Sequence, residues 1–178
     1  AIRTWLETST TLLADQPILG RDFGRLQLFQ LPGAATAPEN AATDDAQFGE
    51  ALTLTAHTMP PTVLPGRPLY VGTWWQTGDE FAKLGVDLST SLRLYDAAGA
   101  LVAQQDGPFL PATSQWQQGQ LVNQTLAVDA PPNALPGAYS VQLVVYRQDN
   151  GAALPLPDGP RAIEGQRWIL GQANISSP

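Results

Sequence analysis

The sequence has no cysteine, which excludes disulfides, thiolate metal sites and a cysteine nucleophile. It has one histidine, His57, so any imidazole-based triad depends on that residue and any metal site has a single imidazole. It has one lysine, Lys83, in a chain of net charge −7. No basic stripe is left to neutralise phosphates, which argues against nucleic-acid binding and against docking on an anionic membrane surface. Charged residues are only 14% of the chain, and no run of about 18 apolar residues occurs that could span a bilayer. No signal peptide is visible. The chain starts at Ala1 rather than at a methionine, as a processed protein or an excised segment would, and it reads as a soluble fragment.

What is present is 43% hydrophobic residues in a 178-residue chain, with 16 glycines and 16 prolines spread along it. That size suits one sandwich-type domain with an appendage, and that composition suits short strands joined by tight turns. Residues 2–13 place Ile2, Trp5, Leu6, Leu12 and Leu13 at roughly helical spacing and predict a short helix. Residues 24–32 alternate and stop at Pro32, which predicts a strand. The stretch 33–47 is small, polar and without period, and reads as a linker or long loop. Beyond it, alternating segments recur at 49–59, 69–77, 86–96, 100–106, 121–132 and 137–148, with shorter candidates at 151–156 and 166–171. Residues 97–99 form a tight hairpin connection. Evenly spaced alternating strands without intervening helices indicate an all-β fold, an antiparallel two-sheet β-sandwich of jelly-roll or immunoglobulin-like type. The expected division is 1–46 for the N-terminal helix, strand and linker, packing on the sandwich, and 47–178 for the sandwich itself.

Several of these segments carry a pattern: Pro65 and Gly66 at a turn, the pair Trp74 and Trp75 ending a strand, Leu92 to Gly99 in a hairpin, Asp106 with Pro108, Trp116 with Gly119, and Pro136 to Tyr139 opening a long strand. The succession resembles the C-terminal β-sandwich appended to bacterial dolichyl-phosphate-mannose mannosyltransferase-like membrane glycosyltransferases, and the segment starting at Trp5 and Leu6 is similar to what such proteins carry just before it. The resemblance implies a non-catalytic accessory module on the extracytoplasmic side of a larger cell-envelope protein. The catalytic acid and the lipid-linked donor site of such enzymes belong to their membrane region, so no catalytic residue carries over. The implied partners are a glycan or the membrane domain of the same polypeptide.

Read for chemistry, the residues offer little. His57 reads as a strand residue at the sheet surface or rim, and the pairs Asp44/Asp45 and Asp79/Glu80 as solvated charges rather than the two spaced carboxylates of glycoside hydrolysis. Asp87, Asp96 and Asp106 lack the Asp-x-Asp-x-Asp spacing of a calcium loop. No metal or cofactor is expected, and no enzymatic constellation. Residues 20–27 hold two glycines near arginines but do not link a strand to a helix as a phosphate loop does. The glycosylation-like triplets at 123–125 and 174–176 carry little meaning in a protein that resembles bacterial ones.

The aromatic pair is the remaining feature. Side chains alternate along a strand, so placing Leu69, Val71 and Thr73 inward puts Trp75 in the core and turns Tyr70, Gly72 and Trp74 outward. On that face Tyr70 and Trp74 could stack on a sugar ring across a shallow gap at Gly72, with Gln76 and Arg93 as hydrogen-bond donors nearby. The competing expectation is that the N-terminal segment, with Trp5, Leu6, Leu12 and Leu13, covers the same face. An autonomous carbohydrate-binding domain is the alternative to the accessory module.

Overall fold

The computed structural model describes the backbone of residues 11–17 and 25–30 and the whole of 36–177. The chain divides into two units, Ala1–Ala35 and Thr36–Pro178. In the first, β1 (Thr11–Pro17) and β2 (Arg25–Gln30) pair antiparallel. The expected helix over 2–13 lies outside the described residues up to position 10, and Thr11, Leu12 and Leu13 run in β1 as strand, in keeping with the extended preference of a β-branched residue such as Thr11. The proposed cover from Trp5, Leu6, Leu12 and Leu13 rests on side chains outside the described residues.

The second unit is built from β3 (Ala42–Phe48), β4 (Leu52–Thr58), β5 (Thr62–Val63), β6 (Pro68–Thr77), β7 (Leu88–Tyr95), β8 (Leu101–Pro108), β9 (Leu121–Asp129), β10 (Gly137–Arg147), β11 (Ala162–Ile163) and β12 (Arg167–Ile175). One sheet has the order β3-β4-β6-β9, all antiparallel. The other has the order β11-β12-β10-β7-β8, with β5 added parallel to the far end of β12. The segment at 151–156 contributes a single bridge, Ala153 to Tyr146, rather than a strand. Asp96 fixes the β7–β8 hairpin: its carboxylate accepts the backbone N–H groups of Ala98 (2.9 Å) and Ala100 (2.8 Å).

The inward faces follow the sequence alternation. Leu54, Val71, Trp75, Leu92, Leu94, Tyr139, Val141 and Leu143 are all buried, and each such side chain contributes roughly 1.5–3 kcal/mol over its exposed state. Trp75 is fully enclosed between Phe48 (ring centroids 5.6 Å apart) and Phe109 (5.2 Å, edge to face). Its indole N–H donates to Thr73 Oγ1 at 2.8 Å, and Thr73 in turn donates to the Gln124 carbonyl at 3.2 Å. The Pro136–Tyr139 stretch is a structural corner, in which the Tyr139 hydroxyl donates to the Leu135 carbonyl at 2.9 Å.

Three expectations change. The linker read over 33–47 already contains β3, so the sandwich begins before residue 47 and the chain divides after Ala35. Asp44 is not a solvated linker charge: its side chain is fully buried. His57 is not at the surface but 4% exposed. A bulge at Thr55 shifts the register between Leu54 and Ala56, so His57 lies opposite the inward Thr73, because one extra residue inverts the parity of everything after it. Asp44 then joins the two sheets. It accepts from His57 Nδ1 within its own sheet, and from Arg161 Nη2 (2.7 Å) and Trp168 Nε1 (3.1 Å) in the other. Arg161 also donates to the carbonyls of Ile169 (2.8 Å) and Leu170 (3.1 Å) and lies 4.7 Å over the Trp168 ring.

Candidate functional site

The outward face of β6 carries three of the four residues expected to contact a ligand. Tyr70 is 57% exposed, Gln76 is exposed and Trp74 is half-buried. The neighbouring strands add Asn123, Thr125 and Ala127 of β9, opposite Trp74, Gly72 and Tyr70 respectively. Thr55 holds the edge by donating to the Trp74 carbonyl at 3.1 Å.

The gap expected at Gly72 is filled from within the sheet. A Cβ placed on Gly72 would stand 2.6 Å from Thr58 Oγ1 and 3.3 Å from Cη2 and Cζ3 of Trp74. The indole therefore lies back over the glycine, and only a residue without a side chain lets it do so. The fold of the ring leaves its Nε1 buried and without a hydrogen-bond partner among the described residues. Its neighbour Trp75, one residue on and facing the other way, has its N–H satisfied.

Arg93 is not part of this face. It belongs to β7 in the six-stranded sheet, with Leu92 and Leu94 turned inward, so it projects from the opposite side of the sandwich. There it stands opposite Gln142 of β10 and Gln104 of β8, and its Nε donates to Ser91 Oγ at 2.9 Å.

Two further features lie outside the expected set. At the loop end, Phe81, Leu84, Val86, Thr113, Ser114 and Trp116 line a groove of about 410 Å³. Trp116 stacks with Phe81 (6.1 Å, 19°) and donates to the Pro111 carbonyl at 3.0 Å. Asp87 closes this region, accepting the Ser114 backbone N–H at 2.6 Å and the Thr113 hydroxyl at 3.2 Å, and the first of these holds its carboxyl below the usual carboxylate range. Trp116 was visible as a motif residue, whereas Phe81 and Thr113 sit in unpatterned loop sequence. Among the acidic residues considered for a cation, Asp87 and Asp96 flank opposite ends of β7, while Asp106 accepts from Gln104 Nε2 at 3.0 Å. They do not converge, and no group of three metal-ligating side chains occurs among the described residues.

No family model and no curated protein matches the sequence. Eleven chains among the solved structures match. The C-terminal domain of wzt shares 9% identity and a TM-score of 0.49, with 79% of this chain and 81% of that chain covered. The CARDB domain of a Pyrococcus furiosus protein, solved in complex with di-metal ions, shares 14% identity and a TM-score of 0.32, with 72% of this chain and 90% of that one covered. Both likenesses stop at the β-sandwich, whose architecture rests on the strands and registers above.

Proposed function

We propose that the chain is a non-catalytic accessory β-sandwich module that contacts glycan through the outer face of its four-stranded sheet, within a larger extracytoplasmic, glycosyltransferase-like protein of the cell envelope. The observation that carries the glycan contact is the Tyr70 ring, 57% exposed on a regular strand and two residues from Gly72. A flat ring held on a rigid strand offers an apolar surface to the C–H face of a sugar at small entropic cost. Gln76, exposed on the same face beyond the half-buried Trp74, supplies an amide for hydroxyl groups. The sequence pattern from Pro65 to Tyr139 supports the larger parent protein. No helix among the described residues is long and apolar enough to cross a membrane, so anchoring in this reading belongs to another part of that parent.

A glycan array probed with the chain, followed by titration of the best oligosaccharide against Tyr70→Ala, tests the contact. Binding that disappears in a folded Tyr70→Ala variant supports it. Silence across the array, or binding indifferent to Tyr70→Ala, removes it. The same face suits an autonomous carbohydrate-binding domain of a secreted protein, and the reading frame upstream of Ala1 separates the two: a multi-span hydrophobic region there supports the accessory module.

A further inference from the structure

The opposite face of the sandwich presents a different chemistry, centred on Arg93 and Gln142, which face each other across β7 and β10. Arg93 is half-buried in the middle of a central strand. Of the other arginines in the second unit, Arg147 pairs with Asp149, Arg161 with Asp44 and Arg167 with Glu164, and Arg67 is exposed. Arg93 alone is half-buried with no carboxylate partner among the described residues, in a chain whose acids outnumber its bases by seven. Asp106, opposite Ser91 on the adjacent strand, accepts from Gln104 instead. Only the Nε of Arg93 is used, by Ser91 Oγ, so the terminal nitrogens of the fork are uncommitted among the described residues.

Gln142 adds the second half. It is 5% exposed, its Nε2 donates to Ser140 Oγ at 3.2 Å, and its Oε1 is buried with no partner among the described residues. Turning the amide over does not cure this, because Ser140 would then satisfy the oxygen and leave the nitrogen orphaned. Tyr95, on the same face, is held by the Arg167 guanidinium 5.2 Å over its ring. Ser91 and Ser140 are the small residues beside these groups, Ser91 fully buried and Ser140 half-buried.

An unneutralised guanidinium beside an unmet amide acceptor asks for a ligand that carries an anion and a hydroxyl donor close together. We propose that this face binds a hydroxy-carboxylate of the uronic acid class, the carboxylate taken by the terminal nitrogens of Arg93 and an adjacent hydroxyl donated to Gln142 Oε1. A planar fork suits a carboxylate in the bidentate geometry that makes such pairs strong and specific. The site is separate from the Tyr70 face and does not depend on it.

Calorimetric titration of the chain with trigalacturonate, with glucuronate and with methyl-esterified trigalacturonate tests the proposal. The expected result is binding of a uronate, loss of binding on esterification, and weakening by about tenfold or more in Arg93→Gln, as removal of a charge-assisted pair implies. Arg93→Lys, which keeps the charge without the fork, should recover only part of the affinity and serves if Arg93→Gln does not fold. Tyr70→Ala should leave uronate binding unchanged. Trigalacturonate bound much more tightly than glucuronate identifies an acidic glycan as the source, and equal affinity identifies a free sugar acid. No heat from either uronate at millimolar concentration, or equal binding of the ester, or an Arg93→Gln variant that binds as the parent does, overturns it.

Discussion

The four-stranded sheet turns Tyr70, Trp74, Gln76 and Thr125 outward, whereas the six-stranded sheet turns out Ser91, Arg93, Ser140 and Gln142. One face is aromatic with a ring laid over a glycine; the other is polar, with small hydroxyls around an arginine. Among the described residues, each ends with one buried polar atom unsatisfied, a donor on Trp74 and an acceptor on Gln142. Between the sheets the same residue types are satisfied. Trp75 donates to Thr73, and Gln124 both accepts the Leu110 N–H (3.0 Å) and donates to the Leu110 carbonyl (2.6 Å). An orphaned buried group costs about 1–3 kcal/mol. Among the described residues, hydrogen bonding is thus complete for these groups where the sheets meet and incomplete on both outer faces.

The largest effect separating inside from outside is expected within one dipeptide. Trp75→Ala should cost about 3–5 kcal/mol, the range for deleting a core aromatic. Trp74→Ala should cost on the order of 1–2 kcal/mol, because part of the ring is already exposed and its loss removes an unpaired N–H. Urea denaturation of both variants measures the gap. Equal costs would mean that the outer face of β6 is a second core, and the contrast between faces would lose its basis there.

Next comes the carboxylate that ties the sheets together. Asp44→Ala leaves Arg161 and His57 facing each other without the anion between them, and a loss of about 3 kcal/mol is expected, at the low end for breaking a buried pair because Arg161 is partly exposed. A loss below about 1 kcal/mol would show that the cluster is hydrated and that polar satisfaction between the sheets is less complete than the geometry indicates.

How much of this was legible depends on where the register is regular. The β6–β9 pairing runs from Pro68 to Gln76 without a break, and there the alternation of the sequence placed Trp75 inside and Tyr70 outside correctly. On β4 the bulge at Thr55 inverts everything beyond it, and nothing in the run Thr53–Thr58 marks the extra residue, so the alternation alone points His57 outward. Asp44 escaped because an inward acid breaks the apolar pattern by which a strand is recognised, and its partners Arg161 and Trp168 lie more than a hundred residues away in sequence. Arg93 lies on the other face for a topological reason. Alternation says which way a side chain points from its strand, but not which sheet the strand joins, and β6 and β7 are consecutive in the chain yet belong to different sheets.

A smaller effect probes the aromatic face itself. Gly72→Ala introduces a methyl group against Thr58 Oγ1 and the Trp74 ring, and overpacking of this kind costs about 1–3 kcal/mol. The indole should be pushed off the sheet and its N–H brought to water. The variant should therefore show stronger acrylamide quenching of the Trp74 fluorescence, read in a background where the other tryptophans are replaced by phenylalanine. Unchanged quenching would mean that Thr58 alone gives way and that Gly72 does not set the pose of the ring.

The smallest expected change sharpens the contrast most directly, since it compares one residue type on an outer face and between the sheets. Gln142→Leu removes the orphaned Oε1 and keeps roughly the same volume, and Ser140, which loses its partner, is half-exposed and can turn to water. The stability should change by less than about 0.5 kcal/mol or rise slightly, because deleting an unmet polar group is close to neutral. Gln124→Leu makes the same substitution in the interior and strands both the N–H and the carbonyl of Leu110, so it should cost about 1–3 kcal/mol. Thermal melts of the two variants side by side give the difference without any ligand present. A Gln142→Leu variant as damaged as Gln124→Leu would mean that Oε1 is hydrogen-bonded in solution, and the Arg93 face would then lack the unmet acceptor that recommends it as a binding surface.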